Sequence, residues 1–287
     1  MDLGVLMMED SVIEYNFCFL KKRLLVAVLL ILCSFCKTFA GVGDFFEGRS
    51  QAFKLDPVYD GIIGGGGLAL TGGLFIYDFF DPFPRYDGVK LDLDSVNPFD
   101  RWAARPYSKP LHISGTVTEV LAMAAPLALF ATDKSEWGIW VVMYAESMLW
   151  ANGIKEALKF SVKRNRPYMY FDGPPQDKID DGDYLKSFPS GHTTMAFNGA
   201  VFLSYTFSKY FPESKWKVPV IAGSLSLAVA TGVQRILSGN HFITDVLAGA
   251  AIGSLTGFVV PFLHTLPKSK NLEVAVVPTG FYVQYRY

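Results

Sequence analysis

The sequence predicts an all-α protein: a bundle of six transmembrane helices ending in a short β-like tail. Three observations lead there. Of 287 residues, 51% are hydrophobic and only 18% charged, whereas an ordinary soluble domain carries about 25% charged residues. Six apolar stretches of about 20 residues recur between polar breaks, and about 20 residues at ~1.5 Å each cross the hydrocarbon of a bilayer. Past Pro267 the composition turns β-branched and aromatic. The net charge of −1, with no long basic run outside the segments discussed below, argues against nucleic acid as a partner.

Residues 1–40 read as a signal peptide or an uncleaved N-terminal anchor. Lys21, Lys22 and Arg23 precede an apolar run over 24–36, and Thr38-Phe39-Ala40 supplies a small-x-small exit. Cys18, Cys33 and Cys36 all lie in this leader, so the rest of the chain holds no thiol for a disulfide or a cysteine metal site. Residues 41–266 form the helical domain, with apolar stretches at 61–80, 113–132, 137–160, 190–211, 218–237 and 241–266. Glu119 and Glu146 fall inside the second and third. They face the bundle interior if those helices lie in lipid, or form ordinary ion pairs if they do not. Residues 81–112 and 168–186 are Pro- and Asp-rich loops. Gly249, Gly253 and Gly257 recur every fourth residue, a pattern that permits close helix packing. In the tail, 267–287, two β-prone runs flank Pro278-Thr279-Gly280 and suggest a hairpin.

Three short segments carry the chemistry. They read Lys159-x6-Arg166-Pro167, then Pro189-Ser190-Gly191-His192, then Arg235-x5-His241-x3-Asp245. Together they supply two histidines, three cations and one carboxylate, the equipment for passing a phosphoryl group through a histidine without a metal.

In order and spacing these segments resemble the type 2 phosphatidic acid phosphatase (PAP2) superfamily. It includes membrane lipid phosphate phosphatases, lipid A phosphatases, soluble periplasmic acid phosphatases and vanadium haloperoxidases. The motifs cover 159–245, and the helical layout extends the likeness to 61–266. The resemblance implies that His241 is the nucleophile, oriented by Asp245 through its Nδ1 proton, and that His192 is the general acid and then the base. Lys159, Arg166, Ser190, Gly191 and Arg235 would bind the phosphate. No metal and no cofactor is implied. His241 and Asp245 also have the spacing of a helical metal pair, but the neighbouring cations would repel a divalent ion. Gln234 departs from the pattern, because a Ser usually precedes the arginine. Lys163 and Arg164 read as solvated surface residues, and His112 and His264 as structural.

The implied protein is a multi-pass lipid phosphate phosphatase of a bacterial inner membrane, with its catalytic end facing the periplasm and a lipid phosphate or diphosphate as substrate. A soluble periplasmic acid phosphatase of broad specificity is the alternative. An exported start followed by six spans would put the catalytic loops inside, so an exported site requires that 61–80 not cross, that the leader not be used, or that the whole bundle be soluble in the periplasm.

Overall fold

A computed structural model of the chain describes residues 51–80, 86–89, 91–265, 272–277 and 280–285; the expected leader lies outside them. Among the described residues, six helices of 16 or more residues build the domain: α1 (Pro57–Phe80), α2 (Lys109–Ala124), α3 (Lys134–Val162), α4 (Gly191–Tyr210), α5 (Lys217–Leu237) and α6 (Ile243–Leu263). Asp56 starts α1 by accepting bonds from the backbone N–H of Val58 and Tyr59. Pro110 sits in the first turn of α2, where its missing N–H costs nothing. At its far end α2 tightens into a 3-10 segment, Ala125–Ala131. The polar loop before α2 carries a short helix, Pro98–Arg101, whose Asp100 N–H is capped by the Asn97 side chain. Leu272–Val277 and Gly280–Tyr285 pair antiparallel, with Leu272 opposite Tyr285.

Helix α4 is the central element and packs on α2, α3, α5 and α6. Its Phe202, Leu203 and Phe207 join Leu129, Trp140 and Met143 in the main apolar cluster. The glycines of α6 serve its contact with α4. A Cβ at Gly257 would lie 2.6 Å from the Asn198 carbonyl oxygen, and one at Gly249 would lie 2.6 Å from that of Ser190. The two helices therefore approach backbone to backbone, and Asn198 is tied across the gap to Ser147 Oγ and Thr256 Oγ1 at 2.6 and 2.9 Å.

Outward, the helices are apolar. Leu68 and Phe75 on α1, Val120 on α2, Val229 on α5 and Leu255 on α6 are all more than half exposed. Continuous apolar surface of this kind belongs in lipid rather than water. Among the described residues, three helical segments are long and apolar enough to cross a membrane: Lys109–Ala131, Lys217–Leu237 and Ile243–Leu263.

Replacing Gly257 with Val should overpack the α4–α6 contact and cost about 1–3 kcal/mol or more. Thermal unfolding in detergent should show a clear drop for this variant and almost none for Leu255→Ala on the outer face of the same helix.

Candidate active site

The three motifs meet at one end of the bundle, each placed by a local break in the chain. Helix α3 ends when Lys163 takes a left-handed conformation, φ 46°. Arg166 therefore lies beyond α3 and does not share a helical face with Lys159. Arg166 instead follows a short loop, pinned by its N–H to the Tyr184 carbonyl at 2.8 Å. Helix α5 ends in a turn through Gly239, φ 71°, where any side chain would strike the Pro106 carbonyl oxygen. The turn folds the N–H groups of Asn240 and His241 back onto the Arg235 carbonyl, both at 3.2 Å. That folding brings the ends of the Arg-x5-His spacing together.

His241 is 2% exposed. Its Nδ1 lies 2.7 Å from the Ser187 carbonyl oxygen. A carbonyl can only accept, so Nδ1 carries the proton and the neutral ring has its lone pair on Nε2. Burial, with the charges of Arg166 and Arg235, holds the imidazole well below its ordinary pKa, which keeps it neutral. Arg166 Nη1 sits 2.9 Å from Nε2, on the lone pair. The same guanidinium donates to the Asn240 carbonyl and, through Nε and Nη2, to the carbonyl and carboxylate of Asp183. Burial alone would raise the Asp183 carboxyl, but Arg166 and Lys178 outweigh it and hold it down.

The expected contact between Asp245 and His241 is not formed. Helix α6 begins at Ile243, so His241 lies outside it and the i,i+4 stacking of a helix does not apply. The nearest approach, Nδ1 to Asp245 Oδ2, is 3.8 Å. Asp245 instead accepts from Ser187 Oγ at 2.6 Å, from Arg164 Nη1 at 2.6 Å and from the Phe242 N–H at 2.9 Å. It orients His241 indirectly, by holding the residue whose carbonyl takes the Nδ1 proton. Arg164, expected at the surface, bridges Asp245 to Asp100 and lies 4.2 Å over the Phe242 ring. Burial pushes Asp100 up, yet its bonds from Arg164, Thr244 and Asn97 leave it below the usual carboxylate range.

His192 opens α4 beside the site. Its Nε2 is 3.1 Å from Thr116 Oγ1 and 3.3 Å from Glu119 Oε2. Ser190, expected to bind phosphate, is fully buried. Its N–H goes to the Asp245 carbonyl at 3.0 Å and its hydroxyl to Thr193 Oγ1 at 2.8 Å. Its N–H bond ties the start of α4 to α6, and the N–H groups that follow it in the first turn suit an anion. At Gly191 a Cβ would lie 3.2 Å from Lys159 Nζ, so the absent side chain lets that ammonium reach the helix start. Lys155 and Lys159 share Glu156. Arg235 is 1% exposed; one nitrogen contacts His112 Nδ1 at 3.1 Å, while its buried Nε has no hydrogen-bond partner. A buried guanidinium donor left unmatched fits a site that awaits an oxyanion. Gln234, at the departure from the motif, turns away to accept from Thr118 Oγ1 at 2.7 Å.

Sequence reasoning missed Ser187, Asp100, Asp183 and the pairings of His112 and Glu119. The one available signal was Glu119, an ionisable group inside an apolar stretch. The others act through backbone or through partners distant in sequence.

Residues 140–266, which contain all three motifs, match the family model of the PAP2 superfamily. The chain is 32% identical over 145 residues to a Lipid A 1-phosphatase of Porphyromonas gingivalis, covering 49% of this chain and 28% of that protein. It is 25% identical over 221 residues to "Probable lipid phosphate phosphatase 4" of Arabidopsis thaliana, covering 67% and 68%. It is 40% identical over 77 residues to Phosphatidylglycerophosphatase B of Bacillus subtilis, covering 26% and 37%.

The neutral His241 sets a pH prediction. Its protonation would quench a nucleophile, so the acid limb of kcat/KM should fall below about pH 6.5, the ordinary histidine value. Arg166→Gln removes a cation that disfavours protonation, so the folded pKa should rise. The acid limb of its residual activity should then move to higher pH; an unmoved limb would show that another group sets it.

Proposed function

We propose that this chain is a phosphatase that hydrolyses a lipid-borne phosphate or diphosphate through a phosphohistidine, without a metal at the reacting centre. The observation that carries the reading is the buried, neutral His241, whose lone pair sits under the Arg166 guanidinium beside an unmatched Arg235 donor. An incoming phosphoryl oxygen takes Arg166 off Nε2, which frees the lone pair and places the cation on the anion in one motion. Nε2 then forms a bond to phosphorus as the bond to the leaving oxygen breaks, and His192 passes a proton to that oxygen. Water, deprotonated by His192, next attacks the phosphohistidine and releases inorganic phosphate. Lys159, Arg166, Arg235 and the start of α4 balance the charge that builds on the equatorial oxygens.

Two features support a lipid as the carrier. The outer faces of the helices are apolar, which disfavours the soluble acid phosphatase alternative. A cavity of about 570 Å³ between α1 and α3 is lined by Leu68, Thr71, Phe75 and Phe160, with Lys159 and Lys186 at its polar end. Such a groove suits acyl or prenyl chains whose phosphate reaches Lys159. We place the protein in a bacterial inner membrane with this end facing the periplasm, an orientation that an exported start allows only if α1 does not cross the bilayer.

The direct test measures phosphate release in EDTA for wild type and His241→Ala. The substrates are undecaprenyl diphosphate, lipid A, phosphatidylglycerophosphate, phosphatidic acid and an aryl phosphate. The variant should lose at least about a thousand-fold in kcat, and quenched wild type should carry acid-labile phosphate on His241. Full activity in the variant would sink the reading. Phe75→Trp should narrow the groove and raise KM several-fold for the lipid, leaving the aryl phosphate unchanged; an equal effect on both would remove the groove from substrate binding.

A further inference from the structure

Far from the motifs, three ionisable side chains meet inside the bundle. They are Asp60 from the first turn of α1, Glu146 from the middle of α3 and His264 at the end of α6. One ligand atom from each lies within 4.8 Å of the others. His264 is 6% exposed and Glu146 is 3% exposed. His264 Nδ1 lies 2.8 Å from the Val260 carbonyl, so that nitrogen carries a proton. Its Nε2 then points at Asp60 Oδ1, 2.7 Å away, and Glu146 Oε2, 3.4 Å away. That Glu146 oxygen is buried and accepts no hydrogen bond.

A neutral imidazole would aim a lone pair at two carboxylate oxygens. A protonated one would still leave a net charge of −1 buried among three helices, with Lys54 only at the exposed mouth. A divalent ion bound by the neutral ring and both carboxylates brings the sum to zero and gives the Glu146 oxygen its partner. The Nδ1–carbonyl bond is the outer contact that orients a ligating histidine. A small cavity of about 70 Å³, lined by Lys54, Asp56, Asp60 and His264, leads in from the surface. Gly64 clears the inner side, since a Cβ there would crowd Glu146 Oε1 at 3.3 Å.

We propose that Asp60, Glu146 and His264 bind a divalent transition-metal ion, zinc being the ion best suited to one imidazole and two carboxylates. The site lies at the end of α6 opposite the phosphatase motifs. It staples α1 to α3 and α6 and takes no part in catalysis.

The test uses full-length protein purified in detergent, stripped with a chelator and titrated with zinc or cobalt(II) alone. Wild type should bind one ion per chain, show the visible absorption of cobalt with nitrogen and oxygen ligands, and unfold at higher temperature with zinc but not with magnesium. Glu146→Gln and His264→Gln should each weaken binding at least ten-fold and abolish the thermal shift, while phosphate release confirms that they are folded. If a variant does not fold, the wild-type stoichiometry and cobalt spectrum decide. Absence of stoichiometric binding by wild type would overturn the site and assign the cluster to a shared proton. Binding that survives both substitutions would place the ion elsewhere.

Discussion

The catalytic end depends on one buried carboxylate. Asp245 is fully buried and gathers bonds from Ser187, Arg164 and Phe242. Each bond ties down a different piece of chain: the loop entering α4, the loop leaving α3, and the first turn of α6. Arg164 extends the hold to Asp100 and so to the loop before α2. A buried pair of this sort adds little net stability over a well-packed apolar replacement, but removing one partner costs about 3–5 kcal/mol. It acts as a registration device. Four polypeptide segments that share no regular hydrogen-bond ladder must come to the same point, and charge-assisted bonds fix their relative positions.

The rest of the bundle serves this arrangement by keeping its polar needs away from lipid. Helices satisfy their own backbone, so the outer faces can be apolar throughout. Among the described residues, the buried ionisable side chains gather at the catalytic end and where α1, α3 and α6 meet, with Glu136 at the start of α3 as the exception. Close approach of α4 and α6, made possible by small residues, sets the two loops that carry His192 and His241 near each other. Helix packing and site geometry are therefore coupled: the α4–α6 spacing determines how far apart His192 and His241 stand.

Much of this was legible in the sequence because it rests on period and on residue type. Apolar stretches of membrane length located the long helices to within a few residues, and the glycine spacing in 249–257 marked the tight contact. The three motifs named the residues that the fold brings together: Lys159, Arg166, Gly191, His192, Arg235 and His241. Less legible were the helix ends: Lys163 turns left-handed and ends α3 before Arg166, and α6 starts after His241, so neither motif runs along a single helix. Asp245 was expected to hold His241 directly, whereas its hydrogen bonds go to Ser187, Arg164 and Phe242. Nothing in the sequence indicates that a backbone carbonyl takes the His241 proton, because every residue has one. The pairing of Arg164 with Asp100, 64 positions apart, also left no local trace.

That carbonyl has a consequence for how the site tolerates change. In many carboxylate-oriented histidines a single codon change removes the orienting group and leaves the ring in the wrong tautomer. Here the acceptor is the main chain of Ser187, and substitution cannot delete it. The tautomer is protected at its point of contact and exposed to damage only through the loop's anchors. Variation at position 187 itself should be graded rather than all-or-none, with loss of the hydroxyl loosening the loop while the acceptor remains. The vulnerable genetic target is thereby shifted outward, from the group beside the nucleophile to Arg164, Asp100 and Asp245, which never touch it with a hydrogen bond.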